Sequence, residues 1–273
     1  MKIWRRGKVP TEVVELFNGS TAELKPVKDM RGTVTKYDFT VEEGDPVWNT
    51  VRARFPDSHF YTSTEFSRSD ILASEFLFLY PGNHLPKAYG DLNDWDKGGY
   101  IGDCAVCGCG WRHEGPYIFP GNPPRKYKGI VGLEGGFSMF VYTDIDREVL
   151  DVIGANTKSV IAQNGNGLST VREIFPVTTA DQGIVDSLTE KEVYRKVRCE
   201  NCSMVWHKHY TRGMVPIARK ALKPVDLQWS NEWWGNGRTA WKMVIVSRRF
   251  AKLLLDKQIK WIDLRPMNVV CDG

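Results

Sequence analysis

Hydrophobic positions along this chain come in short segments. FSMFVYTD (137–144) and WKMVIVS (241–247) are rich in β-branched and aromatic residues and predict buried strands. SVIAQ (159–163) and IKWIDLRP (259–266) predict two more. IDREVLDVIG (145–154) and RRFAKLLLDKQ (248–258) fall between these pairs of strands. Val149, Val152 and Ile153 form an i, i+3, i+4 stripe, as do Phe250, Leu253 and Leu254, which predicts an amphipathic helix in each place. Thr143 or Asp144, and likewise Ser247, stand where an N-cap belongs. Earlier in the chain, FYTSTEF (60–66) predicts a strand. It leads through a Ser67-x-x-Asp70 capping arrangement into a helix over ILASEFLFL (71–79). Asp45-Pro46 ahead of VWNTVRARF predicts a short helix with proline in its first turn, ending before Pro56. PGNHLP (81–86) and FPGNPPRKYKG (119–129) read as loops, and the Asn-Gly pairs of QNGNGLS (163–169) as a hairpin turn.

The longest apolar run, Phe76 to Tyr80, has five residues, against the roughly 18 of a membrane span. MKIWRRGKVP has basic residues but no apolar stretch behind them, unlike a secretory signal. With 273 residues, 42% hydrophobic and 26% charged, the composition is that of a globular protein. A cytoplasmic protein with no membrane association is expected. The net charge of +4 is too mild to imply a nucleic-acid partner, but its distribution is uneven. Asp38 to Asp103 holds twelve acids against five Lys/Arg, and Lys191 to Lys223 nine Lys/Arg against two Glu. Such a split steers partners of opposite charge, or else is neutralised within the fold.

Six cysteines carry the clearest chemistry. CAVC (104–107) and CENC (199–202) are two Cys-x-x-Cys pairs. That spacing lets two thiolates face one ion across a tight turn, and two such pairs complete a tetrahedral four-cysteine zinc site. The 91 residues between the pairs exceed the roughly 15–20 of an ordinary ribbon, but the cost of closing a loop rises only logarithmically with its length. Cys104, Cys107, Cys199 and Cys202 are therefore expected to bind one structural Zn²⁺. Two separate sites remain open, because Cys109 and His113 follow the first pair and His207 and His209 the second. Cys271 reads as a free thiol in the tail.

CAVCGCGWRH and CENCSMVWHKH share C-x-x-C-x-x-x-W, and each precedes a strand–helix–strand pattern. The expected architecture is α+β: mixed sheets with short helices, and two β-α-β-like halves joined by a zinc-ribbon-type four-cysteine site. An acidic region 1–100 precedes a zinc-knuckle region 101–273, whose similar halves are 101–165 and 196–268.

The sequence contains no phosphate-binding loop, H-E-x-x-H, G-x-S-x-G or zinc-deaminase pattern. No enzyme is expected. Four of the ten tryptophans lie in DLQWSNEWWGNGRTAW. Trp229, Trp233 and Trp234 are candidate partner-binding residues, since tryptophan is enriched at interface hot spots. The alternative is that they fill the core, each indole N–H meeting a carbonyl.

Two widely separated CxxC knuckles, and the closing MVIVSRRFAKLLLDKQIKWIDLRP, resemble the bacterial double-CxxCG motif proteins. The resemblance covers mainly 104–113 and 199–264. CAVCG fits the motif, whereas CENCS has Ser203 in place of the glycine. That family includes immunity proteins that neutralise a cognate toxin delivered between neighbouring cells. The resemblance implies motif positions at Cys104, Cys107, Cys199 and Cys202, a toxin protein as partner and no catalytic residues. Occlusion of a basic toxin by the acidic stretch 38–103 is the corresponding expectation. The alternative is a zinc-ribbon nucleic-acid-binding protein using the basic segment 191–223. In that reading Lys196, Arg198, Lys208 and Arg212 contact phosphates, and Trp206 or His207 stacks on bases.

Overall fold

A computed structural model describes residues 1–56, 60–81, 84–85, 100–101, 104–107, 109, 112–113, 116–119, 129–133, 138–186, 196–208, 212–235 and 240–271. Most of the expected loop 119–129 lies outside the described residues, as do His59, His209 and the acids Asp57, Asp91, Asp94, Asp96 and Asp103. The protein is a mixed α/β structure made mostly of strands, with short helices.

The chain divides into two compact units, one of them Met1–Ser67 with Arg212 and Gly213 from late in the sequence. The expected boundary near Tyr100 falls inside the other unit, which takes up the chain at Arg68. In the first unit, an antiparallel sheet runs in the order Glu23–Lys28, Val34–Glu42, Lys2–Pro10, Tyr61–Glu65. Val9, Phe39 and Val41 point to one face of it, where the 3₁₀ turn Thr11–Phe17 and helix α1 (Pro46–Arg54) supply Val13, Phe17, Val47, Trp48 and Val51. Helix α1 starts as the sequence implies: an Asp45 carboxylate oxygen accepts from Val47 N–H, and proline occupies its first turn. Gly7 is required by packing, because a Cβ there would lie 2.6 Å from the Phe60 ring.

The second unit holds a six-stranded and a seven-stranded sheet, with the two-stranded Tyr100–Ile101 and Arg112–His113. The six-stranded order is His84–Leu85, Ile130–Leu133, Met139–Tyr142, Gly167–Ile174, Thr157–Ala162, Ile118–Phe119. The seven-stranded order is Lys196–Arg198, Val205–His207, Leu227–Gly235, Ala240–Ser247, Phe76–Pro81, Ile262–Val270, Val215–Ala218. Helix α2 (Arg68–Ala73) precedes Phe76–Pro81, while α3 (Arg147–Ile153) and α4 (Arg248–Asp256) follow Met139–Tyr142 and Ala240–Ser247. The main core joins Leu77, Leu79, Val244 and Leu264 of the larger sheet to Ile130, Val141 and Ile174 of the smaller, with Val149, Ile153, Phe250 and Leu254 of α3 and α4. Each such side chain taken out of water contributes about 1.5–3 kcal/mol. Lys257 bridges the two helices by pairing with Asp146 and Glu148.

Two local expectations are corrected. The helix expected over 71–79 stops at Ala73, and Phe76–Pro81 is a strand with antiparallel neighbours on both sides. Phe76, Leu77, Phe78 and Leu79 are all buried. An apolar run covered on both faces has no periodicity to separate strand from helix. The cap of α3 is Asp146 rather than Thr143 or Asp144: its carboxylate accepts from Glu148 N–H at 3.0 Å, while Thr143 donates instead to Ser169 C=O. Ser247 caps α4 as expected, accepting from Phe250 N–H at 3.1 Å. The 163–166 turn joins antiparallel strands, with Gly165 at φ +84°.

Candidate metal centre

Each CxxC segment makes a tight turn that brings its two sulfurs to the same side. In the second, Ser203 N–H donates to Cys199 C=O and Cys199 N–H to Met204 C=O, both at 2.9 Å. Closing this turn places Ser203 at φ +59°, in the left-handed region. This is the position at which the resembled motif has glycine, the residue that reaches that region without steric cost.

The two turns meet. Cys104 Sγ lies 3.9 Å from Cys199 Sγ, and Cys107 Sγ 3.7 Å from Cys202 Sγ. All four sulfurs lie within 4.8 Å of one another. A tetrahedral metal with bonds of about 2.3 Å to sulfur has sulfur–sulfur edges of about 3.8 Å, so both pairs are at the edge length of such a site. They are far beyond the roughly 2.05 Å of a disulfide. Cys104, Cys107 and Cys199 are buried, and Cys202 lies at the rim. Trp206 and Ala240, with the partly buried Val197, Met204 and Trp233, pack around the cluster.

The surrounding donors suit thiolates. Cys109 N–H points at Cys107 Sγ at 3.4 Å, and the Asn201 amide at Cys104 Sγ at 3.5 Å. Donation from Cys107 N–H, then from Asn201 and Val106 N–H, holds the Cys104 thiol down to about 6, whereas burial pushes Cys107 up to about 12. Several anionic sulfurs at this spacing repel one another unless a cation sits among them. Four thiolates fill a tetrahedral shell, so a metal held here keeps no open position for water or substrate. Soft sulfur ligands in a tetrahedron suit zinc or iron.

Among the described residues these four form the one cluster of metal-ligating side chains. Cys109 is fully buried beside them without joining the cluster, and burial raises its thiol pKa, which suits a packed, unreactive thiol. His207 is buried and packs at a tilt against Trp234 with ring centroids 5.5 Å apart, its pKa lowered to about 4 by burial. His113 has no described side chain and His209 lies outside the described residues. Cys271 is exposed and free. The Asn201 contact was not anticipated; its only trace in the sequence is a polar residue inside CENC.

The tryptophans divide. Trp234 is 1% exposed and packs edge-on to Phe78 at 5.4 Å, so it offers no surface to a partner. Trp229 is half-buried against Phe175, and Trp233 is half-buried with Lys242, its cross-strand neighbour, over its ring. The indoles do not all reach carbonyls: Trp241 N–H donates to the Met243 thioether, and Trp234 N–H has no partner among the described residues. The stacking platform of the nucleic-acid reading is likewise absent, because Trp206 and His207 are 5% and 3% exposed. Among the described residues, several charges of both stretches are paired within the fold. Lys196 pairs with Asp186, Arg212 with Glu43, Arg219 with Glu75 and Lys223 with Asp181. Asp38 and Glu42 face Lys8 and Lys2.

An open cleft of about 740 Å³ beside α4 is lined by Arg219, Arg248, Arg249 and Lys252. These cations are already held by Glu75, the carbonyls of Ala73 and Ser74, Asp226 and Asp256 respectively. Two buried carboxyls also escaped the sequence analysis. Glu232 accepts from Gly183 and Ile184 N–H at 2.7 and 3.1 Å, and Glu173 has its pKa raised to about 7 by burial. Arg172 beside Glu173, and Ser230 and Asn231 beside Glu232, made both look like ordinary polar strand positions. No helix among the described residues is long and apolar enough to cross a membrane. No protein-family model, no curated protein and no solved structure matches the chain.

Proposed function

We propose that this is a non-catalytic binding protein, held in shape by one structural zinc ion, that acts in the cytoplasm as an immunity protein against a bacterial toxin. The observation that carries the reading is the convergence of the two CxxC turns on a single four-sulfur cluster. It supports a zinc-ribbon-type site completed by two distant segments, the arrangement expected if the resemblance to double-CxxCG proteins reflects common architecture. A four-thiolate shell gives the zinc a structural task. Neutralisation then follows from occlusion, in which the folded surface covers the toxin's active site. Trp229 and Trp233 keep partial exposure and remain the candidate anchors. Asp38, Glu42, Glu43 and Glu75 of the acidic stretch are paired with bases of this chain, so the reading gives the aromatic contacts more of the proposed interface.

The test is affinity purification of the tagged chain from its native host, with mass spectrometry and nuclease treatment. The reading expects one near-stoichiometric protein partner that survives nuclease and whose toxicity the chain suppresses. Recovery of nucleic acid that is lost with salt would contradict it.

A further inference from the structure

We infer that the second unit consists of two copies of one fold that have exchanged their central strands, with the metal-binding cluster at their shared pseudo-two-fold axis. The first copy runs through Phe76–Pro81, the Cys104 turn, Ile118–Phe119, Ile130–Leu133, Met139–Tyr142, α3 and Thr157–Ala162. The second runs in the same order through Gly167–Ile174, the Cys199 turn, Val215–Ala218, Leu227–Gly235, Ala240–Ser247, α4 and Ile262–Val270.

The correspondence holds to the residue. Val141 pairs with Ile130 as Val246 pairs with Leu227, and Met139 with Gly132 as Val244 with Trp229. At the other side of each sheet, Ile161 runs parallel to Ile118 as Asn268 does to Pro216. A strand lies antiparallel between the two arms of each β-α-β unit, again in one register. Ile174 faces Met139 and Thr157, and Leu79 faces Val244 and Leu264.

That central strand comes from the other copy. Phe76–Pro81 opens the first copy but sits in the second copy's sheet, and Gly167–Ile174 opens the second copy but sits in the first copy's sheet. Each chain then crosses back after a proline, Pro81 or Pro176, which lacks the N–H needed to extend a ladder. His84 pairs in parallel with Gly132 of its own copy, and Thr179 in parallel with Trp229 of its own. Gly132 and Trp229 are themselves equivalent by the registers above. The cysteines obey the same relation: Cys104 meets Cys199 and Cys107 meets Cys202, each pair 95 residues apart. His84 and Thr179 have that same separation, as do Pro81 and Pro176. Independent arrangements would have no reason to agree in order, direction, register and reciprocal crossing. The geometry is that of a strand-exchanged homodimer whose two chains have become one.

It follows that the copies are tied by buried strands as well as by metal. Leu77 and Leu79 complete the second copy's sheet, and Val171 and Ile174 the first's. The test inserts a protease site into the 163–166 turn of the full chain and cuts it in metal-loaded buffer. Both fragments are expected to stay together at the elution volume of the uncut chain and to unfold in one transition. Separation into two independently folded pieces would overturn the inference. A second test needs no cut. In the full chain, Leu79→Ala should speed amide exchange first in Ala240–Ser247 and Ile262–Val270, and Ile174→Ala first in Met139–Tyr142 and Thr157–Ala162. Loosening of each strand's own copy first, the reverse pattern, would equally overturn it.

Discussion

Cys107 and Cys202 hold their sulfurs 3.7 Å apart although 95 residues separate them in the chain. With Cys104 and Cys199 at 3.9 Å, they turn two tight turns into one candidate metal centre. The cluster joins two distant segments of the chain, so a metal held there would stabilise the tertiary structure rather than act on a substrate.

Removing one ligand should therefore cost both metal and stability. A metal present at a thousandfold excess over its dissociation constant contributes about 4 kcal/mol to the folded state. Cys107→Ser and Cys199→Ser are each expected to lose bound zinc and several kcal/mol. Cys271→Ser, at an exposed position, should keep its zinc and stay within about 0.5 kcal/mol of the parent. Metal analysis and urea unfolding of the three variants check this.

Ser203 occupies the left-handed region at φ +59°, where an L side chain costs roughly 1–2 kcal/mol. Ser203→Gly is expected to stabilise the protein by about 1 kcal/mol, offset in part by glycine's greater freedom when unfolded. Its urea midpoint should rise with zinc content unchanged; a lower midpoint would count against the turn geometry.

Two buried groups set opposing pH dependences. Burial raises Glu173 to about 7 from 4.5, so the folded state holds a proton that the unfolded chain releases, and stability falls as pH rises between those values. Burial lowers His207 to about 4 from 6.5, so stability falls as pH drops through that interval. Glu173→Gln should remove the loss that comes with rising pH and leave the acid loss steeper, with a gain of roughly 2–3 kcal/mol above pH 7. His207→Gln should do the reverse. Urea midpoints from pH 4.5 to 8, each compared with the parent in zinc-saturated buffer, separate the two.

Ser247 accepts from Phe250 N–H in the first turn of α4, and the Phe250 ring buries that helix in the main core. Ser247→Ala is expected to cost about 1 kcal/mol and Phe250→Ala about 3–5 kcal/mol. Thermal or urea unfolding that ranked them the other way would place α4 outside the core.

The parts of this structure legible in the sequence were those fixed by local rules. Asp45-Pro46, the cap at Ser247 and the turn at 163–166 were readable because a few adjacent residues decide them. The cysteine cluster was readable because CxxC spacing states a ligand geometry. Phe76–Pro81 was misread because burial on both faces erases periodicity. Trp234 takes the core alternative because an aromatic beside polar residues in a strand faces the core or the solvent according to register, which a bulge between Trp229 and Trp233 alters here. The pairing of Arg212 with Glu43 and of Arg219 with Glu75 joins residues far apart in sequence and leaves no local trace. The strand exchange was invisible for the same reason: nothing in FLFLYP names the sheet it will join.

The most direct test of the shared centre is X-ray absorption at the metal edge of the purified full chain, with metal counting. The account predicts one zinc per chain with four sulfur neighbours at about 2.3 Å. Two zinc ions per chain, or a shell containing histidine nitrogen, would contradict it.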